Sequence, residues 1–218
     1  MPSKSLAPQQ ARSRESLRKL LKAAAEVLGQ HGVDGATIPR IAAHAGMTPG
    51  AVYRRFRNKE ALLEAVILGL LERQAERLEI SGLTVTSAGQ VPLAVFTEQV
   101  IGSMVVSYRA SAPLLRAMRQ FAQTRDHTPF WRKATRLEVA GFERIVNMFL
   151  KHKAEIRHPD PEAAVPVALM IVISMLFEVV VMPTDLGLLK RFLPEDAGLK
   201  RELTRAFLSY LGAPPPAR

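Results

Sequence analysis

The chain has 218 residues, 30 Lys and Arg against 20 Asp and Glu, a formal net charge of +10 and no cysteine. That length allows one or two domains with a substantial core, and the missing cysteines exclude a disulfide framework, a thiolate metal site and a cysteine nucleophile. Residues 1–60 hold 11 basic against 4 acidic residues, so most of the positive charge sits in the first quarter, the distribution expected of a domain that meets a polyanion.

Residues 1–11 are polar, contain proline and read as a disordered arm, with Lys4, Arg12 and Arg14 as candidate phosphate or minor-groove contacts. Ser16 to Gln30 is the first predicted helix. Leu17, Leu20, Leu21, Ala24, Ala25 and Leu28 form its apolar stripe, and Gly32 ends it. Thr37 is placed to cap a second helix, whose first turn tolerates Pro39 and whose apolar face is Ile38, Ile41, Ala42 and Ala45. Gly46 follows, where a left-handed backbone is cheapest for glycine. Thr48 caps a third, very short helix with Pro49 at its first position. Val52 and Phe56, four apart, point inward and leave Pro49, Gly50, Ala51, Tyr53, Arg54 and Arg55 outside. Asn58 starts a long helix from Lys59 to about Glu79. Three capped helices in this order form a helix-turn-helix, which sets its recognition helix in the major groove of duplex DNA.

Further along, Ser81-Gly82 and Thr84-Val85-Thr86 read as a loop, with Ser87 and Gln90 as a capping box. Helices are predicted at about 90–109, 113–124, 129–153, 161–182 and 195–211, with prolines at or near several starts. His158-Pro159-Asp160-Pro161 and Met182-Pro183-Thr184-Asp185 are breaks, and 213–218 is a proline-rich tail read as disordered. Ala163 to Met182 carries one charge, Glu178, and is long enough to span a membrane. Pro166 lies within it, and a helix apolar all round is also what a core helix shared with a second copy looks like. The dimer-helix reading is preferred. Val172, Met175, Val179 and Phe207 are its candidate interface residues.

Residues 16–66 resemble the N-terminal domain of the TetR family of bacterial transcriptional regulators. The matching segments are Leu20 to Leu28, His31 to Thr37, Ile41-Ala42 through Gly46, Thr48 to Tyr53, Phe56, and Asn58 to Leu63. The resemblance implies an all-α protein: an arm at 1–11, a DNA-binding domain at 12–60 and a helical ligand-binding and dimerisation domain at 61–212. It implies that Thr37 and Thr48 hold phosphates, that Pro49, Gly50, Ala51 and Tyr53 face bases or the backbone rim, that Arg55 and Lys59 grip phosphate, and that Arg54 does either. Ala51 stands where the family often has Thr or Ser, and Pro39 where a long polar side chain can reach a base. Specificity then leans on Tyr53, the arginines and DNA shape.

For the second domain the resemblance implies a small-molecule pocket, with Met104, Tyr108, Phe121, Trp131, Phe142, Met148 and Glu178 as candidate lining. Core packing is the competing account of each. Glu178 needs a partner, an arginine across the dimer or a cationic ligand. The five histidines are scattered, and His152 and His158 are expected at the surface; no metal site or cofactor is expected. No phosphate loop or nucleophile elbow is present, so no enzyme is read here. The reading is a cytoplasmic, ligand-responsive homodimeric repressor of a pseudo-palindromic operator. The long helix from Lys59 would link head and pocket. The alternative is a non-regulatory helical binding protein, or a membrane-associated one whose basic head meets acidic lipids.

Overall fold

The structure is a computed structural model that describes residues 6–80, 89–123, 125–182 and 187–214. Its elements are α1 (Leu6–Gly35), α2 (Ile38–Ala45), α3 (Pro49–Tyr53), α4 (Lys59–Ile80), α5 (Leu93–Ala122), α6 (Pro129–Leu150), α7 (Pro161–Leu176) and α8 (Asp196–Tyr210). Short turns of other helical pitch lie at Lys153–Glu155, Phe177–Val181 and Gly187–Phe192. No strand occurs among the described residues, and the all-α expectation holds. Lys4, the Ser81 to Ser87 loop, the break at Pro183-Thr184-Asp185 and the tail beyond Pro214 lie outside the described residues.

Three boundaries differ from the sequence reading. First, α1 begins at Leu6, ten residues ahead of Ser16, so residues 6–11 are helical where an arm is predicted. Leu6, Ala7, Gln9, Gln10 and Ala11 are all good helix formers, and Pro8 falls in a first turn that tolerates it. Second, α5 is continuous through Pro113, where the sequence suggests a new start. A proline removes one backbone bond, and a long helix held on both sides survives that loss. Third, α6 stops at Leu150 and hands over to the tighter turn at Lys153–Glu155.

The chain forms two compact units. One takes the residues up to Leu71 together with Pro113–Ala134, and the other takes Glu72–Ala112 with Thr135 onward. A single boundary after residue 60 is therefore too simple: residues 61–71 and 113–134 belong with the head. Leu62, Leu63 and Val66 of α4 complete its core beside Leu20, Ala24, Leu28, Ile41 and Val52, with Phe121 and Phe130 joining from further on. In α1 the helical path breaks at Gly32 (φ 68°, ψ −176°), as its sequence position predicts.

The second unit is built around Phe96, Ile101, Phe149, Leu169, Leu176 and Phe207. Phe149 is central: its ring meets Phe96 edge-on at 5.0 Å and Phe207 at 4.7 Å. Two ion pairs brace α5 to α8, Glu98–Lys200 at 2.7 Å and a bidentate Arg109–Asp196 contact. His152 is a correction. It is 2% exposed rather than at the surface, accepts from the Gly89 N–H through Nε2 (3.0 Å), faces Glu155 through Nδ1 (3.2 Å) and stacks on Phe96 at 5.0 Å. Glu155 in turn accepts from the Leu93 N–H at 2.9 and 3.1 Å, satisfying a free donor at the start of α5. Scatter along the sequence could not reveal this, because the partners lie about sixty residues apart.

The apolar segment Pro161–Val181 has a mean hydropathy of 2.6 and is half buried within its own unit. Asp160 caps α7 by accepting from the Ala163 N–H at 3.0 Å. Ala164, Val165, Ala168, Leu169, Val172 and Leu176 face the core, and Val167, Met170, Ile171 and Met175 remain 40–52% exposed. Three proposed interface residues therefore need correcting. Val172, Val179 and Phe207 are 1%, 7% and 2% exposed and belong to the core of their own unit; Met175 alone lies on the open face. One position along a helix is a rotation of about 100°, and with nearly every residue apolar the sequence does not say which face is which.

Candidate nucleic-acid interface

Backbone geometry fixes the recognition element. Gly46 has φ 65° and ψ 39°; its N–H bonds the Ala43 carbonyl at 3.1 Å while the Met47 N–H bonds Ala42 at 2.8 Å. That double bond is a Schellman ending, which turns the chain sharply out of α2. Thr48 then stands extended (φ −84°, ψ 151°), and its Oγ1 accepts from the Ala51 N–H at 3.2 Å. Its hydroxyl proton remains available for an external acceptor. Thr37 occupies the equivalent position before α2, but its hydroxyl makes no capping bond. Asn58 caps α4 by accepting from the Ala61 N–H at 2.9 Å.

Packing decides which side of α3 is free. Val52 is fully buried and Phe56 half buried, which pins the helix to the head. Thr37, Thr48, Pro49, Gly50, Tyr53, Arg54 and Arg55 are exposed, and Ala51 is partly so. Tyr53 is 55% exposed, a large ring left without a core to enter. A Cβ added at Gly50 would meet no atom within 4 Å, so nothing inside the protein requires glycine there. Lys59 departs from the expected role of a free phosphate grip: it is half buried and its Nζ donates to the Val33 carbonyl at 3.0 Å, leaving two N–H donors for anything outside. His44 and Glu26 pair at 2.8 Å, and Arg40 donates to the Gly35 carbonyl at 2.7 Å; both contacts tie α2 to α1.

The candidate pocket residues do not form one group. Phe121 is 1% exposed in the first unit, edge-on to Phe130 at 5.7 Å with the Arg125 guanidinium 3.6 Å over its ring. Trp131 is in the same unit, half buried and tilted against His127 at 5.6 Å. Met104, Tyr108 and Phe142 lie partly buried against the core of the second unit, and Met148 is inside it. Glu178 is exposed at the end of the open α7 face, beside Ser174 and Met175, with no cation among the described residues within ion-pair distance. Sequence reasoning passed over Glu138. The residue is exposed at the surface, yet partial burial of its carboxyl pushes it above the usual carboxylate range. Burial, and then the charge of Glu138, push the Tyr108 phenol up as well.

Residues 20–66 match the sequence profile of bacterial regulatory proteins of the tetR family. Over 57 residues the chain is 42% identical to an uncharacterised HTH-type transcriptional regulator, TtgW of Pseudomonas putida; the match covers 26% of this chain and 42% of TtgW, under half of that relative's length. A Mesorhizobium loti protein described as a TetR-family transcriptional regulator has the same fold at a TM-score of 0.69, with 20% identity over 92% of this chain and 97% of that one. The transcriptional regulator FadR of Bacillus subtilis, in complex with stearoyl-CoA, superposes at 0.64, with 16% identity over 88% and 98%. In this chain the match to bacterial regulatory proteins of the tetR family thus falls on the N-terminal helices, residues 20–66, that hold out the exposed threonine-capped helix.

Proposed function

We propose that this chain is a DNA-binding transcriptional regulator, a homodimeric repressor that reads a pseudo-palindromic operator through α3 and responds to a small molecule. The observation that carries the reading is the outer face of α3. Thr48, Pro49, Gly50 and Tyr53 are exposed on a helix whose inward side is locked by Val52. Backbone N–H groups at a helix start attract phosphate, the bare Gly50 lets a duplex approach closely, and Tyr53 and Ala51 reach base edges or a thymine methyl. Thr37, Thr48, Arg54, Arg55 and Lys59 supply backbone contacts. Dimerisation brings two such helices about one DNA turn apart, and the open stripe Val167, Met170, Ile171 and Met175 is the surface that supports it. The match of residues 20–66 to a family of regulators supports a non-enzymatic role in the cytoplasm. For an effector, Met104, Tyr108 and Phe142 are the residues this reading retains, and its action is a differential affinity for two dimer geometries.

Selection of sites from a random duplex library by the purified protein, at two salt concentrations, tests the reading. A palindrome recovered at both is the expected result. Recovery of no motif, with binding lost as salt rises, would leave only non-specific attraction and sink it.

A further inference from the structure

The early start of α1 creates a surface that the recognition helix does not account for. Along one edge of α1, Arg12, Ser16 and Lys19 recur at spacings of four and three, so they share a face. With Gly46 and Met47 of the turn between α2 and α3, that face lines an open groove. A Cβ on Gly46 would stand 3.5 Å from the Lys19 Nζ, so the amine hangs over the turn itself. At the other side of the same helix-turn-helix, the Arg55 guanidinium donates to the Ser13 Oγ at 3.4 Å. Ser13 and Lys19 of α1 thus stand beside the two ends of the reading element.

Charge in the groove is one-sided. Glu15 is the acidic residue lining it, and its carboxylate is held by two bonds from Arg18, at 2.6 and 3.0 Å. Neither Arg12 nor Lys19 has a carboxylate within 4.0 Å among the described residues, and both are exposed. Two unneutralised cations along the α1 side of a groove beside the turn make a site that attracts an anion.

We infer that this groove seats a phosphate of the operator backbone outside the footprint of α3, with Arg12 and Lys19 as its ligands, so that α1 clamps the duplex while α3 reads it. The inference rests on the DNA-binding reading above. Because the contact is to phosphate, it adds affinity and salt dependence without adding sequence preference.

The test measures affinity for the selected duplex by fluorescence anisotropy across a salt series. Three full-length proteins are compared: wild type, Arg12→Ala with Lys19→Ala, and the charge-preserving swap Arg12→Lys with Lys19→Arg. Each lost phosphate contact lowers the slope of log K against log salt by about 0.9. One phosphate in each of two protomers predicts a fall of about 1.8. Between about 50 and 200 mM salt, the alanine variant should therefore lose roughly 12-fold less affinity than wild type. The swap should keep the wild-type slope, and all three should select the same sequence. An alanine variant with an undiminished slope, or a swap that falls with it, overturns the clamp while leaving the reading helix standing. A wild-type protein with no duplex preference at all sinks the DNA-binding reading first.

Discussion

Neighbouring positions on α7 should respond to the same substitution in opposite ways. Val172 is 1% exposed and Ile171 is 50% exposed. Arginine at 172 forfeits a buried valine, worth about 1.5–3 kcal/mol. It also forces an unpaired guanidinium into the core, at a cost of several kcal/mol more. The sum is on the order of 5 kcal/mol, a large part of the 5–15 kcal/mol that holds a typical domain together. Val172→Arg should lower the melting temperature steeply or prevent folding of the second unit. Arginine at 171 leaves the core intact and should melt within a few degrees of wild type when both are compared as monomers. In a two-fold interface, however, each change is made twice. Losing half an isoleucine in each protomer costs roughly 1–1.5 kcal/mol apiece, so dimerisation should weaken by about 100-fold before any repulsion between guanidinium groups. Sedimentation velocity over a concentration series, paired with thermal melts, separates the two effects. A dimer unaffected by Ile171→Arg would remove the stripe from the interface, and a wild-type melt for Val172→Arg would mean that α7 is turned the other way.

Gly50→Ala should stabilise the head by up to about 1 kcal/mol, since alanine is the better helix former and no atom obstructs its Cβ. It should also weaken operator binding at least tenfold; equal affinity would show that nothing approaches Gly50. His152→Ala removes the Gly89 bond, the Glu155 contact and the stack on Phe96, and should cost roughly 2–4 kcal/mol in denaturant unfolding; a loss below about 1 kcal/mol would deny the residue its clasping role. Glu138 has a folded-state pKa raised by burial, so its charge opposes folding: stability falls as pH rises through the carboxylate range and is regained on acidification. Glu138→Gln should therefore stabilise at neutral pH and make little difference below about pH 4, and a variant less stable at neutral pH contradicts that sign.

How much of this could be read from the sequence differs sharply between the two units. In the head, every decision leaves a local mark. Glycine at 46 meets a left-handed backbone, threonine at 48 meets an extended one with its hydroxyl on Ala51, and Val52 alone of α3 goes into the core. Apolar residues occupy one side and polar residues the other, so periodicity gives orientation as well as helix. Even here Lys59 escaped, because its partner is a carbonyl 26 residues earlier and carbonyls leave no trace in composition.

In the second unit the same rules lose their grip for a physical reason. A helix reveals its buried face only by contrast, and α7 offers little: its core positions are Ala, Val and Leu and its open positions Val, Met and Ile, all of them apolar. The distinction between Val172 and Ile171 exists only once a core on one side has claimed half the surface. Glu178 gives the best local hint, since an exposed carboxylate at the end of Val167, Met170, Ile171 and Met175 marks the side that faces out. Stepping back along the helix from that charge by four, seven, eight and eleven residues lands on Ser174, Ile171, Met170 and Val167. The stripe is thus recoverable from one charged residue and the helical repeat once Glu178 marks the outer face.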